Sequence, residues 1–230
     1  MRVIRLLALV SALGLLAVTP GCAKQVVGVP QAASTTVPLA LSADGYGIVA
    51  GFDDAPAKIE IFTEPQCTHC GDLQREFGDE LAYHLGVGSL QVTYRPLMFL
   101  DDDYDGYSSK VVNALFLASE AIDNSATTGA QFQRFVEELW VNQDPGGMPF
   151  TGDELHEMAT AAGIPGPVAD NVAGDNEAVD LAAVEESNFN LLFDIDSDDT
   201  GTPTVYDLEA GEKLDIHDDE WLDDLVQRGN

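Results

Sequence analysis

The sequence is short of positive charge. Lysine and arginine together number 10, against 40 aspartate and glutamate residues, which gives a formal net charge of −30 at pH 7. Nucleic acids and anionic lipid surfaces attract proteins through clustered lysine and arginine, so this composition argues against both as partners. Such an acidic balance is typical of proteins kept soluble at high salt, and equally of ordinary acidic exported proteins.

The start of the chain lacks a hydrophobic run long enough to span a membrane. The apolar run Leu6–Val18 has thirteen residues, whereas a spanning helix needs about 20. The basic segment Met1–Arg5 precedes it, so the pattern predicts a signal peptide over residues 1–21. Gly21 and Cys22 resemble the end of a bacterial lipobox, although Thr19 replaces the usual leucine. The resemblance implies lipidation of Cys22; the alternative is ordinary cleavage that leaves Cys22 as a free thiol.

The segment after the predicted signal peptide has no periodicity. Residues 22–41 are rich in valine, alanine, proline, serine and threonine, and this composition predicts a lipid-anchored linker. We therefore expect the folded domain over residues 42–230. These features predict an exported protein that a lipid anchors on the outer side of the cytoplasmic membrane, in the periplasm or at the cell surface.

Cysteine is scarce, and this scarcity argues against a metal site at the motif Cys67-Thr68-His69-Cys70. The chain has three cysteines, and the third is Cys22. A structural zinc site needs four ligands, but the other histidines, His84, His156 and His217, are far apart in the sequence. The acidic run Asp194–Asp198 alternates as in a calcium loop, but the glycine and the last acid that such a loop requires are replaced. We therefore expect no metal site, and nothing in the sequence indicates a cofactor.

The two cysteines of the motif are placed for disulfide exchange. A strand-like run, Lys58–Phe62, precedes them, and a helical pattern follows to about Leu85. Residues three apart share one face of a helix, at a spacing that a disulfide can bridge. Free N–H groups and the helix dipole favour a thiolate on Cys67, whereas Cys70 shares its face with apolar residues. An activated sulfur beside a shielded one is typical of a redox centre.

The rest of the chain alternates strands and helices. Leu90–Leu97 is predicted to be a strand parallel to the first. A helical section follows over about 107–192, and it includes the capping boxes Thr128/Gln131 and Thr151/Glu154 and a helix over Asn176–Asn190. A hairpin from Thr204 to Ile216 and a last helix from Asp218 complete an α/β domain.

The order of elements, the Cys-Thr-His-Cys motif and the segment Gly201-Thr202-Pro203-Thr204 together resemble the DsbA-like thiol–disulfide oxidoreductases. The resemblance implies a thioredoxin fold with a helical domain inserted between the βαβ half and the C-terminal ββα half. It further implies that Pro203 is cis and faces the cysteine pair, and that Thr202 offers its backbone to the substrate. The buried acid that the fold often carries six residues before the first cysteine is replaced by Ile61. The neighbouring Glu60 should point to the other face of the strand.

The resemblance implies an enzyme that donates disulfides to reduced, exported proteins. Its implied catalytic residues are Cys67, Cys70 and His69, and its implied substrate-binding residues are Thr202, Pro203 and Thr68. Thr68 replaces the usual proline, which makes a less extreme redox potential the expectation. A membrane redox partner is expected to reoxidise the protein, which we expect to be a monomer. The alternatives are a thioredoxin-like reductase or isomerase, and a non-catalytic binding lipoprotein with a structural disulfide.

Overall fold

The fold is described from a computed structural model, which covers residues 36–101 and 106–229. The predicted signal peptide and the lipidation site at Cys22 lie outside these residues. The strands are β1 (Leu39–Leu41), β2 (Ile48–Ala50), β3 (Ala57–Thr63), β4 (Leu90–Pro96), β5 (Thr204–Asp207) and β6 (Glu212–Lys213). The helices are α1 (Thr68–Val87), α2 (Tyr107–Ser119), α3 (Gly129–Val141), α4 (Gly152–Ala161), α5 (Gly166–Val172), α6 (Leu181–Ile195) and α7 (Trp221–Gly229). Among these helices, none is both long enough and apolar enough to cross a bilayer.

The six strands form one mixed sheet in the order β1-β2-β4-β3-β5-β6. β3 is parallel to β4 and antiparallel to β5, with Phe62 opposite Thr204. β3 ends just before the segment that leads to Cys67, and β5 begins directly after Pro203. This register therefore brings the two motifs found in the sequence to the same end of the sheet.

Both faces of β3 are covered. Ile59 and Ile61 are fully buried in the main core, while Phe62 packs in a second cluster with Leu97 and with Leu192 of α6. Successive side chains of a strand point to opposite faces, so the sheet separates these two clusters. The apolar stripe of α1 lies in the main core at the predicted four-residue spacing: Leu73, Phe77, Leu81 and Leu85.

Five helices, α2 to α6, lie between β4 and β5, which confirms the predicted fold class. α3 and α4 begin with the predicted capping boxes, in which Thr128 and Gln131, and likewise Thr151 and Glu154, bond to each other's backbone N–H groups. The chain ends with the predicted hairpin and helix. The second strand of that hairpin is shorter than predicted, because β6 has two residues.

In the helical section, α6 begins later than predicted and α5 was not predicted. The sequence predicts a helix over Asn176–Asn190, but α6 begins after Asp180, whose side chain accepts a hydrogen bond from the N–H of Ala183. α5 is not predicted at all, because Gly163 and Pro165 are read only as the end of the preceding helix. Pro165 is in fact the N-cap residue of α5, without a side-chain cap, and Pro167 lies in its first turn; a proline at a helix start forfeits no intrahelical hydrogen bond.

The sheet begins inside the segment that the sequence predicts as a linker. β1 pairs antiparallel with β2, with Leu39 opposite Ala50, and the backbone oxygen of Val37 accepts a hydrogen bond of 2.9 Å from Gly129 at the start of α3. A three-residue edge strand is too short for its alternation to be recognised in a sequence. The folded region therefore starts near Val37 rather than after Leu41.

Candidate active site

Cys67 is the N-cap residue of α1, with φ −71° and ψ 115°. Its carbonyl oxygen accepts hydrogen bonds from the N–H groups of Cys70 (3.1 Å) and Gly71 (3.3 Å). Its own N–H donates to the carbonyl of Glu64 at 3.0 Å. The sulfur of Cys67 therefore lies at the end of the helix where unpaired N–H groups and the helix dipole stabilise negative charge.

The two cysteines differ in exposure. Cys67 is half-buried, whereas Cys70 has no exposed surface and belongs to the main core. Only the sulfur of Cys67 is therefore open to attack by another protein. This is the difference that the sequence predicts from the apolar residues sharing the face of Cys70.

The pKa values of the two thiols also differ: the pKa of Cys67 is lowered and that of Cys70 is raised. The pKa of Cys67 is lowered from 9.0 to about 5, chiefly by a hydrogen bond from the Cys70 thiol and against the opposing effect of burial. Hydrogen bonds from the Thr202 side chain and from the backbone N–H groups of Cys70 and His69 contribute to this lowering. Burial, together with the neighbouring Cys67 sulfur, raises the pKa of Cys70 well above 9.0. At neutral pH the pair is therefore a thiolate beside a neutral thiol.

The proline loop lies against this pair. The Thr202–Pro203 peptide bond is cis, as the resemblance implies. The sulfur of Cys67 lies 3.1 Å from the carbonyl oxygen of Thr202, to which it donates a hydrogen bond when it is in the thiol form. Thr202, Pro203 and His69 also line a groove of about 780 Å³, which extends beside α1 to the β5–β6 hairpin. The groove therefore opens directly beside the exposed sulfur.

Thr68 and His69, between the two cysteines, both lie on the surface. The backbone N–H of His69 is among the groups that lower the pKa of Cys67. His69 also lines the groove next to the proline loop. The structure thus brings His69 to the site.

Glu64 is a site residue that the sequence analysis does not identify. It lies three residues before Cys67 and has no exposed surface. Its carboxylate accepts hydrogen bonds from the hydroxyl of Ser108 and, at 2.6 Å, from the N–H of Gln66. Burial raises the pKa of Glu64 from 4.5 to about 7, with a smaller contribution from the negative charge on Cys67. A carboxyl group that titrates near neutral pH is thus buried beside the dithiol.

Glu60 has a different partner, as expected. Its carboxylate lies 2.8 Å from the Nε of Arg95, and the same arginine also binds Asp44 at 2.7 Å. Arg95 balances the charge of Glu60 on the other side of β3. Glu64 rather than Glu60 is therefore the acid available to the cysteines.

The helical section holds the loop between β3 and α1. The indole N–H of Trp140 donates to the carbonyl of Glu64 at 3.3 Å. The amide of Gln143 donates to the carbonyls of Pro65 (2.9 Å) and Cys67 (3.2 Å). A Cβ at Gly71 would lie 2.0 Å from the Gln143 amide oxygen, so only glycine leaves room for this amide. The geometry of the cysteine loop therefore depends on residues more than seventy positions away in the sequence.

The solved structures similar to this chain include thiol–disulfide oxidoreductases. MdbA from Corynebacterium matruchotii aligns with a TM-score of 0.66 and 18% identity, covering 83% of this chain and 93% of that protein. MdbA from Corynebacterium diphtheriae aligns at 0.62 and 21%, covering 86% and 96%. BdbD from Bacillus subtilis aligns at 0.57 and 17%, covering 84% and 98%. The chain has the DsbA-like thioredoxin fold.

Sequence comparison gives a relative of a different kind. No family model matches the chain. The serine/threonine-protein kinase PknE of Mycobacterium tuberculosis is 27% identical over 190 residues, which is 78% of this chain and 31% of the kinase. The chain therefore spans about a third of the length of the curated relatives it matches, and at these identities the comparisons establish the fold.

Proposed function

We propose that this protein is an extracytoplasmic thiol–disulfide oxidoreductase that donates disulfides to reduced exported proteins. The observation that carries the proposal is the pairing of a half-buried Cys67, whose pKa is lowered to about 5, with a fully buried Cys70 at the start of α1. A low thiol pKa stabilises the reduced form and so makes the disulfide more oxidising. The names of the similar structures, MdbA and BdbD among them, support this reaction class.

The proposed transfer has two steps. A thiolate of the substrate attacks the sulfur of Cys67, the Cys67–Cys70 bond breaks, and Cys70 takes up the electron pair and a proton. The second thiol of the substrate, after losing its proton, then attacks the substrate sulfur of this mixed disulfide, and Cys67 leaves as a thiolate. Two electrons thus pass from the substrate to the protein. The second proton goes to Glu64 or to water, and Glu64 is suited to accept it because its pKa is near 7.

The residues around Cys67 would hold the substrate. A peptide extended along the groove reaches the backbone of Thr202 next to Pro203, with Thr68 and His69 on the surface between the cysteines. We assign substrate binding to Thr202, Pro203 and Thr68. His69 joins Cys67 and Cys70 as the third active-site residue, through its main-chain N–H and its position at the groove.

The setting of the reaction is also part of the proposal. We infer that residues 1–21 are a signal peptide, that Cys22 carries the lipid, and that a short linker joins it to the domain. A monomer anchored in this way would meet newly exported chains, and a membrane redox partner would reoxidise it. Mass spectrometry of membrane-extracted protein should find acyl mass on Cys22; a soluble product with Cys22 free would contradict the anchor.

Kinase activity is not carried over from PknE, because the described residues form a thioredoxin-like fold around a dithiol.

The test of function is the direction of disulfide transfer. We expect the oxidised protein to oxidise a reduced two-cysteine peptide, and its potential, measured against glutathione, to be more oxidising than that of thioredoxin, about −270 mV. When the peptide is supplied in its disulfide form, the Cys67 thiolate of Cys70→Ser should attack that disulfide and remain trapped as the mixed disulfide, whereas Cys67→Ser should trap none. A potential at or below that of thioredoxin would favour a reductase. The absence of any exchange would favour a binding lipoprotein with a structural disulfide.

A further inference from the structure

A second cluster of chemically reactive side chains lies where α1 meets α7, towards the end of α1 remote from the cysteines. It consists of Glu80 and His84, one turn apart on α1, and Asp223 in the first turn of α7. One ligand atom from each of the three residues lies within 4.8 Å of the other two. The Nε2 atom of His84 and the Oε1 atom of Glu80 are 3.7 Å apart. The two helices are held together at this point by packing of Phe77 against Trp221, with ring centroids 5.4 Å apart.

The orientation of the His84 ring is fixed from outside the cluster. Its Nδ1 atom lies 2.9 Å from the hydroxyl oxygen of Ser89, and that hydroxyl donates its single proton to the carbonyl of His84 at 3.3 Å. The hydroxyl oxygen is then the acceptor for Nδ1, so a neutral His84 carries its proton on Nδ1. The Nε2 atom, which lies 3.7 Å from the Oε1 atom of Glu80, is then the ring nitrogen that has a lone pair free for a ligand bond.

This arrangement leaves three electron-pair donors facing one another. In the part of the chain that the structure describes, no lysine or arginine nitrogen lies within 4.0 Å of the Glu80 or Asp223 carboxylates. The His84 side chain is only 12% exposed, so water screens its side of the cluster poorly. Facing donors of this kind repel one another unless a cation lies between them.

We propose that Glu80, His84 and Asp223 bind a divalent transition-metal ion, with Zn²⁺ the best fit. One imidazole nitrogen and two carboxylate oxygens suit zinc better than calcium or magnesium, which prefer oxygen ligands alone. Zinc bonds of about 2.0–2.2 Å place tetrahedral ligands roughly 3.4 Å apart, so the carboxylates need to move only slightly. Ser89 orients the ligand histidine, as the partners of metal-bound histidines usually do.

The consequence of the site is a cross-link between α1 and α7. An ion that binds only the folded protein stabilises it in proportion to the logarithm of its concentration. The link would fasten the C-terminal helix to the helix that carries Cys67 at its other end. It does not depend on the proposed redox function, since none of its ligands touches the dithiol.

The test is calorimetric titration of the full chain with ZnCl₂ after dialysis against a chelator. The protein is first oxidised at Cys67 and Cys70 and alkylated at Cys22, so that no thiolate competes for zinc. We expect one ion per chain and a higher melting temperature with zinc. His84→Ala and Asp223→Asn should each weaken binding at least about tenfold. Because Asp223 is exposed, its replacement tests the site without disturbing the core.

The matched control is His156→Ala. His156 also pairs with a carboxylate, Asp170, at 3.2 Å, but it lies outside the three-residue cluster. We expect this variant to bind zinc as the unaltered chain does. The proposal is overturned if the oxidised, alkylated protein binds no zinc, if Asp223→Asn binds it with unchanged affinity, or if His156→Ala weakens binding as much as His84→Ala. Absence of binding would mean that the contact between His84 and Glu80 is an ordinary side-chain contact that needs no ion.

Discussion

Reduction of the Cys67–Cys70 disulfide should make the free energy of unfolding more dependent on pH. The pKa of Cys67 is lowered from 9.0 to about 5 in the folded protein. A group with a lowered pKa stabilises the fold above its unfolded pKa, and this stabilisation is lost as the pH falls to the folded value. The window is therefore pH 5 to 9. The oxidised protein has no thiolate there and should lack this dependence.

The size of the effect follows from the pKa. Between pH 5 and pH 8 the stabilisation grows by three pKa units, which at about 1.4 kcal/mol each is roughly 4 kcal/mol without screening. Cys67 is partly exposed, so water screens its charge. We therefore take about half of that stabilisation, roughly 2 kcal/mol, as the expected value. A chain of this length shifts its melting temperature by about 2–4 °C per kcal/mol. Between pH 5 and pH 8, the melting temperature of the reduced form should therefore rise by about 4–8 °C relative to that of the oxidised form.

The assay is a series of thermal melts of both redox forms between pH 5 and pH 8. The readout is the difference in melting temperature between the reduced and oxidised forms, plotted against pH. The disulfide also stabilises the oxidised form by closing a loop, but this effect does not change with pH and so does not alter the slope of that plot. Glu64 has a raised pKa, about 7 instead of 4.5; its protonated form favours the fold, and this effect is lost in both redox forms as the pH rises through 7. The control is Cys67→Ser, which forms neither the disulfide nor the thiolate, and its melting temperature should follow the pH dependence of the oxidised form. A difference that is flat or falls with pH would refute the thiolate argument.

Three further substitutions test the site. Glu64→Gln removes an anion beside Cys67, so the pKa of Cys67, read from thiolate absorbance, should fall; an unchanged pKa would mean that the two groups do not interact. His69→Ala keeps the backbone N–H, so it should raise the pKa of Cys67 by less than about one unit, and a larger rise would assign the effect to the imidazole. Gly71→Ala displaces the Gln143 amide, and the lost hydrogen bonds cost about 1–3 kcal/mol. Alanine regains about 1 kcal/mol over glycine inside a helix, so chemical denaturation should show a net loss of up to about 2 kcal/mol. A further Gln143→Ala change should add little to that loss, and fully additive effects would contradict the clash.

The sequence predicts the redox motif well because the features that define it are local. A strand, a loop and a helix start lie within a few residues of Cys67, and helix geometry sets the spacing of the two cysteines. The cis peptide at Pro203 is different, because it was expected only from the family resemblance. The alternative was a trans proline that merely starts an edge strand.

The edges of the fold were less predictable. β1 has three residues and α5 has seven, too few for either to show a period. The start of α6 was misplaced because alanine and glutamate continue a helical pattern upstream of Asp180, although the capping side chain of Asp180 is what sets the boundary. In each case a local hydrogen bond or a neighbouring strand decides the boundary, rather than hydrophobicity.

Glu64 shows why the acid of the site could not be found from the sequence. A glutamate next to a proline, directly after a strand, ordinarily predicts an exposed turn. It is buried here because Ser108 of α2 and Trp140 of α3 close over it, the first bonding its carboxylate and the second its carbonyl. The inserted helices thus create the raised pKa of Glu64, while Gln143 from the same section fixes the main chain of Cys67. The helical section is therefore part of the redox centre, since it sets the charge and the geometry of a loop that belongs to the thioredoxin half.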